Sequence, residues 1–317
     1  MVYSLTSIEA EKVFRMMTLI RHVEIEISSR YSQGKMRCPT HLSVGQEATP
    51  AALSIFLSNN DYAVSTHRSH AHFIGKGGDV VSMLAEIYGL DQGCSKGRGG
   101  SMHLVDRNVG FMGSSAIVGN SIPVGTGLGH ALKLDGVEAI SVVYLGDAAV
   151  EEGVFAESIN YAATSQLPVL YVCENNGYSV YSDMGPRQPP DRQIFEMVRG
   201  FGLKSKKVSS FDLESFIPTL RDAVNYCRTE RLSMFVEIET ARYLEHCGPN
   251  TDDHLNYRNA EIVTKQKTLD PLAQFKSALL VEGVEIERIE NEIGSFVSDS
   301  FALVESWYDI ALEKFKA

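Results

Sequence analysis

The 317-residue chain has one tryptophan, five scattered cysteines and no apolar run long enough to cross a bilayer. Cys38, Cys94, Cys173, Cys227 and Cys247 form no CxxC pair and no zinc-type spacing. That pattern excludes a disulfide scaffold and a cysteine-built zinc module, and reads as a reduced, intracellular chain. A membrane span needs about 20 consecutive apolar residues, and none is present. The opening MVYSLTSIEAEKVF lacks the basic region and apolar core of a signal peptide, so the expected compartment is the cytoplasm. Positive charge is also short. Lys and Arg number 29 against 40 Asp and Glu, a net charge of −11, which argues against nucleic acid or an anionic membrane as the main partner. The segment GTGLG lacks the GxGxxG spacing and a clear preceding strand, so it gives a nicotinamide dehydrogenase little support. There is no internal repeat and no low-complexity stretch.

What is present is an α/β pattern. Thr6 and Glu9 fit a capping box before a helix carrying Val13, Met17, Ile20, Ile27 and Tyr31 on one face, closed by Gly34. DYAVST reads as a short strand. AISVVYL (139–145), LPVLYVCE (167–174) and MFVEIET (234–240) read as buried strands, with a helix over 150–165. Apolar strands without alternation, separated by helices, indicate a parallel sheet covered on both faces. From about Asp270 the pattern is helical, with Ile286, Ile289, Ile293, Phe296 and Val297 along one side. The expected organisation is an α/β domain over 1–269 and a helical extension over 270–317. Between Gly89 and Gly129 lies a glycine-rich segment, read as functional loop. Met16, Met17 and Trp307 read as packing residues.

The informative junction is LGDAAVEEGV, residues 145–154, where a strand gives way to a helix. Small residues suit the approach of a phosphate, but Asp147 repels one unless a cation lies between. Ligands of parallel sheets bind at the carboxyl ends of strands. The next strand ends in ENNGY (174–178), which brings Asn176 to the same crevice. A carboxylate, an amide oxygen and the carbonyl of Tyr178 are hard ligands suited to Mg²⁺ beside phosphate, and the following helix N-terminus would aim its amides at that phosphate. Taken singly, each feature has a plainer reading. Asp147 can be a helix N-cap, ENNGY a turn, and Glu151 and Glu152 a solvated first turn. His67, His70 and His72 have a spacing that suggests zinc, but alternating histidines are more often a polar wall.

Gly146-Asp147 followed by Asn175-Asn176 resembles the thiamine-diphosphate-binding motif. More narrowly, GDAAVEEGVFAESINYA is similar to the alpha subunit of the decarboxylating first component of 2-oxo acid dehydrogenase complexes. HLSVGQEA, HRSHAHF, GRGGSMHL, IVGNSIPVGTGLGHA, RYLEH, DDHLNYR and the tail from DPL follow in that family's order, along most of the chain. The resemblance implies the thiamine-diphosphate-binding fold, a mainly parallel sheet with helices on both faces. It makes Asp147, Asn176 and the Tyr178 carbonyl the Mg²⁺ ligands, and Gly146, Ala148 and Ala149 the turn that meets the diphosphate. Arg68 matches an arginine on the diphosphate, with a guanidinium fork suited to two phosphate oxygens. Ala116 and Val118 match positions whose backbone meets the aminopyrimidine. His246 matches a histidine beside the diphosphate and reacting carbon, and His41 and His70 match histidines of the entrance. Tyr257 and Arg258 match the end of a loop that orders over the cofactor.

The same resemblance implies decarboxylation of a small 2-oxo acid and acyl transfer to a lipoyl group, with His246 a candidate proton donor. The carboxylate that activates the aminopyrimidine comes from a beta subunit in this family, so the chain is expected to be inactive alone and to work in an α2β2 heterotetramer, with a lipoyl-bearing acyltransferase as a further partner. Three departures stand out. Ala148 replaces a common Gly, at a cost of roughly 1 kcal/mol or more if φ is positive there. His67 replaces a common Tyr, which adds a phosphate donor or a polar wall. MRCPT and EHCGPNT differ from the usual substrate-pocket segments, and no serine directly follows His246. These leave two other readings: an acetoin-cleaving or acyl- or aldehyde-transferring thiamine diphosphate enzyme of specialised metabolism, and a cofactor-binding subunit without catalysis.

Overall fold

The computed structural model describes residues 2–316. The N-terminal helix Ser7–Tyr31 starts at the anticipated capping box, with Thr6 and Glu9 satisfying each other's backbone N–H groups. Six strands form one sheet. They are β1 (Tyr62–Ser65), β2 (Phe111–Ser114), β3 (Ser141–Gly146), β4 (Val169–Asn175), β7 (Lys204–Ser209) and β8 (Met234–Glu239), while β5 (Tyr178–Ser179) and β6 (Ser182–Asp183) make a small antiparallel hairpin. The order across the sheet is β2-β1-β3-β4-β8-β7, and every neighbouring pair is parallel. The expected parallel α/β sheet is therefore the one found.

Each central strand is apolar on both faces because each face meets a different core. Val142, Tyr144, Leu170 and Val172 point into one cluster, which also takes in the N-terminal helix. Their neighbours Val143, Leu145, Tyr171 and Cys173 point into the other. Covering both faces removes the alternation an exposed sheet would show. The C-terminal helices Pro271–Val281 and Ile286–Lys316 lay Phe275, Ile289, Val297 and Phe301 into the first core, against the N-terminal helix. Phe296, expected on that buried side, is 47 % exposed instead; it is adjacent to Val297 and so lies off the stripe.

GTGLG is not a phosphate loop. It lies inside the helix Ser121–Leu134. A Cβ on Gly125 would come within 2.3 Å of a Val143 methyl, and one on Gly129 within 2.3 Å of a Val169 methyl. These two glycines let the helix lie directly on β3 and β4. The glycine-rich segment before it is ordered by one side chain. The carboxylate of Glu86, wholly buried, accepts the backbone N–H groups of Ser95 (2.7 Å), Gly97 (2.8 Å), Gly99 (2.6 Å) and Gly100 (3.1 Å).

Candidate active site

The carboxyl ends of β1, β3 and β4, adjacent in the sheet, open into one cavity of about 230 Å³. Of the expected residues, His41, His67, Arg68, Ala116, Val118, Gly146, Asp147, Ala148, Ala149, Asn176, Tyr178 and His246 all line it. His70 does not. It is wholly buried behind the wall, with Nδ1 on Glu24 at 3.0 Å and Nε2 on the Ser101 hydroxyl at 2.7 Å. An entrance role for His70 is therefore corrected: as the first residue of the helix His70–Gly75 its ring turns inward toward the N-terminal helix. Tyr257 and Arg258 are also outside the cavity wall. Arg258 clamps Asp252 with its side chain 7 % exposed, so it is no loose surface charge. The Tyr257 ring packs 5.5 Å from that of Tyr178.

Asp147 opens a 3-10 turn, Asp147–Glu151, and the α-helix begins only at Gly153, with Glu152 at its N-cap position. Asp147 therefore does not cap that helix. It is also this turn, rather than the helix end, that meets the cavity. Burial pushes the Asp147 carboxyl up, opposed by a guanidinium. Arg187 donates to Asp147 Oδ2 at 2.7 Å and to Glu151 at 2.6 Å, and Gln188 donates to Glu151 at 2.7 Å. Glu151 is thus engaged rather than merely solvated. The segment after the β5–β6 hairpin brings Arg187 there, and nothing in the local sequence signals it. Asn176 turns its Oδ1 onto the Tyr178 N–H at 3.0 Å.

These residues suit a metal-bridged diphosphate. A Cβ built on Gly146 would meet nothing, so the backbone there is open to the cavity. Ala148 is not among the described residues with positive φ, so its replacement of glycine costs no backbone strain. Two hard oxygen side chains stand beside an arginine across the cavity. Arg68 is itself a staple, donating to the carbonyls of Leu42 (2.5 Å) and His246 (3.0 Å). Burial, then Arg242, pushes it down to about 9, so it remains charged at neutral pH. His72 lies against the Tyr144 ring with centroids 3.8 Å apart and bridges Ser65 (2.7 Å) to Glu174 (3.0 Å).

The opposite wall holds a convergence that the HRSHAH spacing did not reveal. His67 meets His41 and His246, not His70 and His72. The ring centroids are 4.7 Å apart for His41–His67, 5.2 Å for His41–His246 and 5.4 Å for His67–His246. A parallel bridge between His41 and Gly248 draws the two distant segments together. Burial first, then His67 and Arg68 for His41, Arg68 and His246 for His67, and Arg68 and Arg242 for His246, pushes the rings down to about 2, 3 and 4 respectively.

A pH dependence follows. An unfolded histidine titrates near 6.5, so below that pH the unfolded chain binds protons that the folded cluster refuses. The stability these neutral rings supply is complete above pH 6.5 and is lost as pH falls from there toward 4. Each ring contributes a slope of up to about 1.4 kcal/mol per pH unit, with the partly exposed His67 and His246 contributing less. Guanidinium unfolding at pH 7, 6 and 5 should show the midpoint falling, and His67→Phe should make the fall shallower. An equal slope in the variant would remove His67 from the linkage.

Residues 15–309 match the family model described as dehydrogenase E1 component. The pyruvate dehydrogenase E1 component subunit alpha of Rickettsia bellii (strain RML369-C) is 33 % identical over 299 residues, covering 93 % of this chain and 90 % of the relative. The subunit of the same name from Rhizobium meliloti (strain 1021) is 32 % identical over 300 residues, 93 % of this chain and 85 % of the relative. The human somatic-form mitochondrial subunit is 30 % identical over 301 residues, 93 % and 75 % respectively. With a family match over nearly its whole length and relatives above 30 % identity, the chain belongs to the dehydrogenase E1 component family.

Proposed function

We propose that this chain is the alpha subunit of a thiamine-diphosphate- and Mg²⁺-dependent 2-oxo acid dehydrogenase, active only with a beta subunit in an α2β2 heterotetramer. The observation that carries this reading is the cavity at the ends of β1, β3 and β4. There Asp147 and Asn176 share a wall with the open turn Gly146–Ala149, and Arg68 lines the same space. Asp147, Asn176 and the Tyr178 carbonyl would hold Mg²⁺, Arg68 and His246 the diphosphate, and the backbone at Ala116 and Val118 the aminopyrimidine. When bound, thiamine diphosphate supplies the carbanion and electron-sink chemistry of decarboxylation. The protein's own part would be to fix the diphosphate, exclude water and orient the groups that move protons, His246 among them. His70 drops out of that set and serves to position Ser101.

Among the described residues the glutamate on the cavity wall is Glu174, and its Oε2 is taken by His72 and Gln46. Its Oε1 is buried without a hydrogen-bond partner; the beta subunit as source of the carboxylate that activates the aminopyrimidine rests on the family resemblance. No helix among the described residues is long and apolar enough to cross a membrane, and the net charge of −11 suits neither nucleic acid nor an anionic surface. Pyruvate is the first 2-oxo acid to test, because the relatives carry its name.

The test is reconstitution. The purified chain, alone and co-expressed with the beta-type subunit of the same genome, is assayed for CO₂ release from pyruvate and branched-chain 2-oxo acids, and for acylation of a lipoyl domain. Turnover is expected only from the pair, and only with Mg²⁺ and thiamine diphosphate. Turnover by the lone chain, or a pair indifferent to the cofactor, would overturn the proposal.

A further inference from the structure

We propose that His41, His67 and His246 form a three-imidazole site for a divalent transition metal of the zinc type, distinct from the oxygen ligands around Asp147 and going beyond the function proposed above. Three observations carry it. The first is convergence: the rings come from three separate segments, and one nitrogen of each lies within 4.8 Å of the other two. A tetrahedral zinc about 2 Å from each nitrogen puts the ring centres about 5 Å apart. The measured 4.7, 5.2 and 5.4 Å fall on that triangle.

The second observation is an unmet group. His41 is 8 % exposed, and its Nδ1 is buried with no hydrogen-bond partner. A buried polar nitrogen left alone costs free energy that a ligand would recover. The third is that the backbone already holds two of the three rings together. His41 bridges to Gly248, and Arg68 ties the Leu42 and His246 carbonyls. Only part of the ordering cost then falls on the metal.

The donor set selects the ion. Three nitrogens suit Zn²⁺, Co²⁺ or Cu²⁺ and not Mg²⁺, which prefers oxygen. The rings are neutral at physiological pH, as a metal requires. The fourth position faces the cavity, as in zinc sites that keep an exchangeable ligand. The Arg68 charge repels a bare dication, so the fourth ligand is an anion, hydroxide or carboxylate, that neutralises both. On the function proposed above, His246 cannot serve the ion and the diphosphate at once, so the two would compete for it.

The experiment uses the full chain, stripped with chelator and free of thiamine diphosphate. Co²⁺ is titrated in while the visible absorption of a four-coordinate centre is followed, and Zn²⁺ stoichiometry is measured by elemental analysis after gel filtration. One ion per chain is expected. His67→Phe should weaken binding about 100-fold or more, and Asp147→Asn should leave it unchanged. His67→Gln repeats the test, and circular dichroism establishes that each variant is folded. Absence of saturable binding, or equal binding by the folded His67 variants, would overturn the proposal. Failure of the thiamine diphosphate reading is separate, being read from Mg²⁺-dependent cofactor binding by the same samples.

Discussion

Asp147→Asn is expected to weaken Mg²⁺-dependent thiamine diphosphate binding about 100-fold, a loss of about 2.8 kcal/mol. The substitution keeps the shape and one oxygen but removes the charge. A small, strongly hydrated dication is held chiefly by anionic oxygen, and this carboxylate is the only acidic member of the proposed ligand set. Stability should change little. The carboxylate is buried at a cost that pushes it up, and its guanidinium partner keeps Glu151 when Asp147 is neutral. Titration calorimetry with and without Mg²⁺ checks this. Wild-type affinity in a folded Asp147→Asn chain would remove the residue from the ligand set, whereas equal loss with and without Mg²⁺ would make it a cavity-wall residue only. Arg68→Ala is a poorer probe than its chemistry suggests, because the guanidinium also holds two backbone carbonyls.

The largest effect on folding is expected at Glu86. Glu86→Ala should destabilise the chain by about 3–5 kcal/mol, because four backbone donors lose their acceptor at once and water reaching the half-buried loop recovers only part of the loss. Glu86→Gln should lie between, since the amide keeps one oxygen but turns a donor toward donors. The damage reaches the cavity: the segment so held runs into Ser101, which anchors His70, and Met102, which lines the wall. Chemical denaturation gives the first number, and proteolysis between residues 89 and 102 gives the location. A Glu86→Ala chain as stable as wild type would mean that the loop N–H groups find water without loss.

The legible part of the fold was the part buried on both faces. AISVVYL, LPVLYVCE and MFVEIET are long apolar runs because both cores claim them, and β3, β4 and β8 lie where those runs predict. The edge strands carry a weaker mark. β7 reads KSKKVS, with only Ser205 and Val208 buried, and β2 is four residues including a glycine. Neither looks apolar, because an edge strand is half solvated and owes its place to its neighbour.

The site divides in the same way. Asp147 and Asn176 follow from strand ends and local motif, and Arg68 from the family resemblance of HRSH; the structure lines one cavity with all three. The pairing of His67 with residues 26 positions before it and 179 after it cannot be read from HRSHAH, because it depends on a bridge made by the chain's return. Arg187 is hidden for the same reason. It lies 40 positions from Asp147 in a segment whose composition reads as loop, and only the hairpin's direction aims it.

That arginine has a thermodynamic consequence. Asp147 is already electrically compensated, by a guanidinium that the chain carries itself. Under the function proposed above, uptake of a dication at Asp147 would be an exchange of counter-ions rather than the filling of a naked anionic hole. The affinity for such an ion would include the work of prising Arg187 from one Asp147 oxygen, while the other arm of the fork keeps its hold on Glu151.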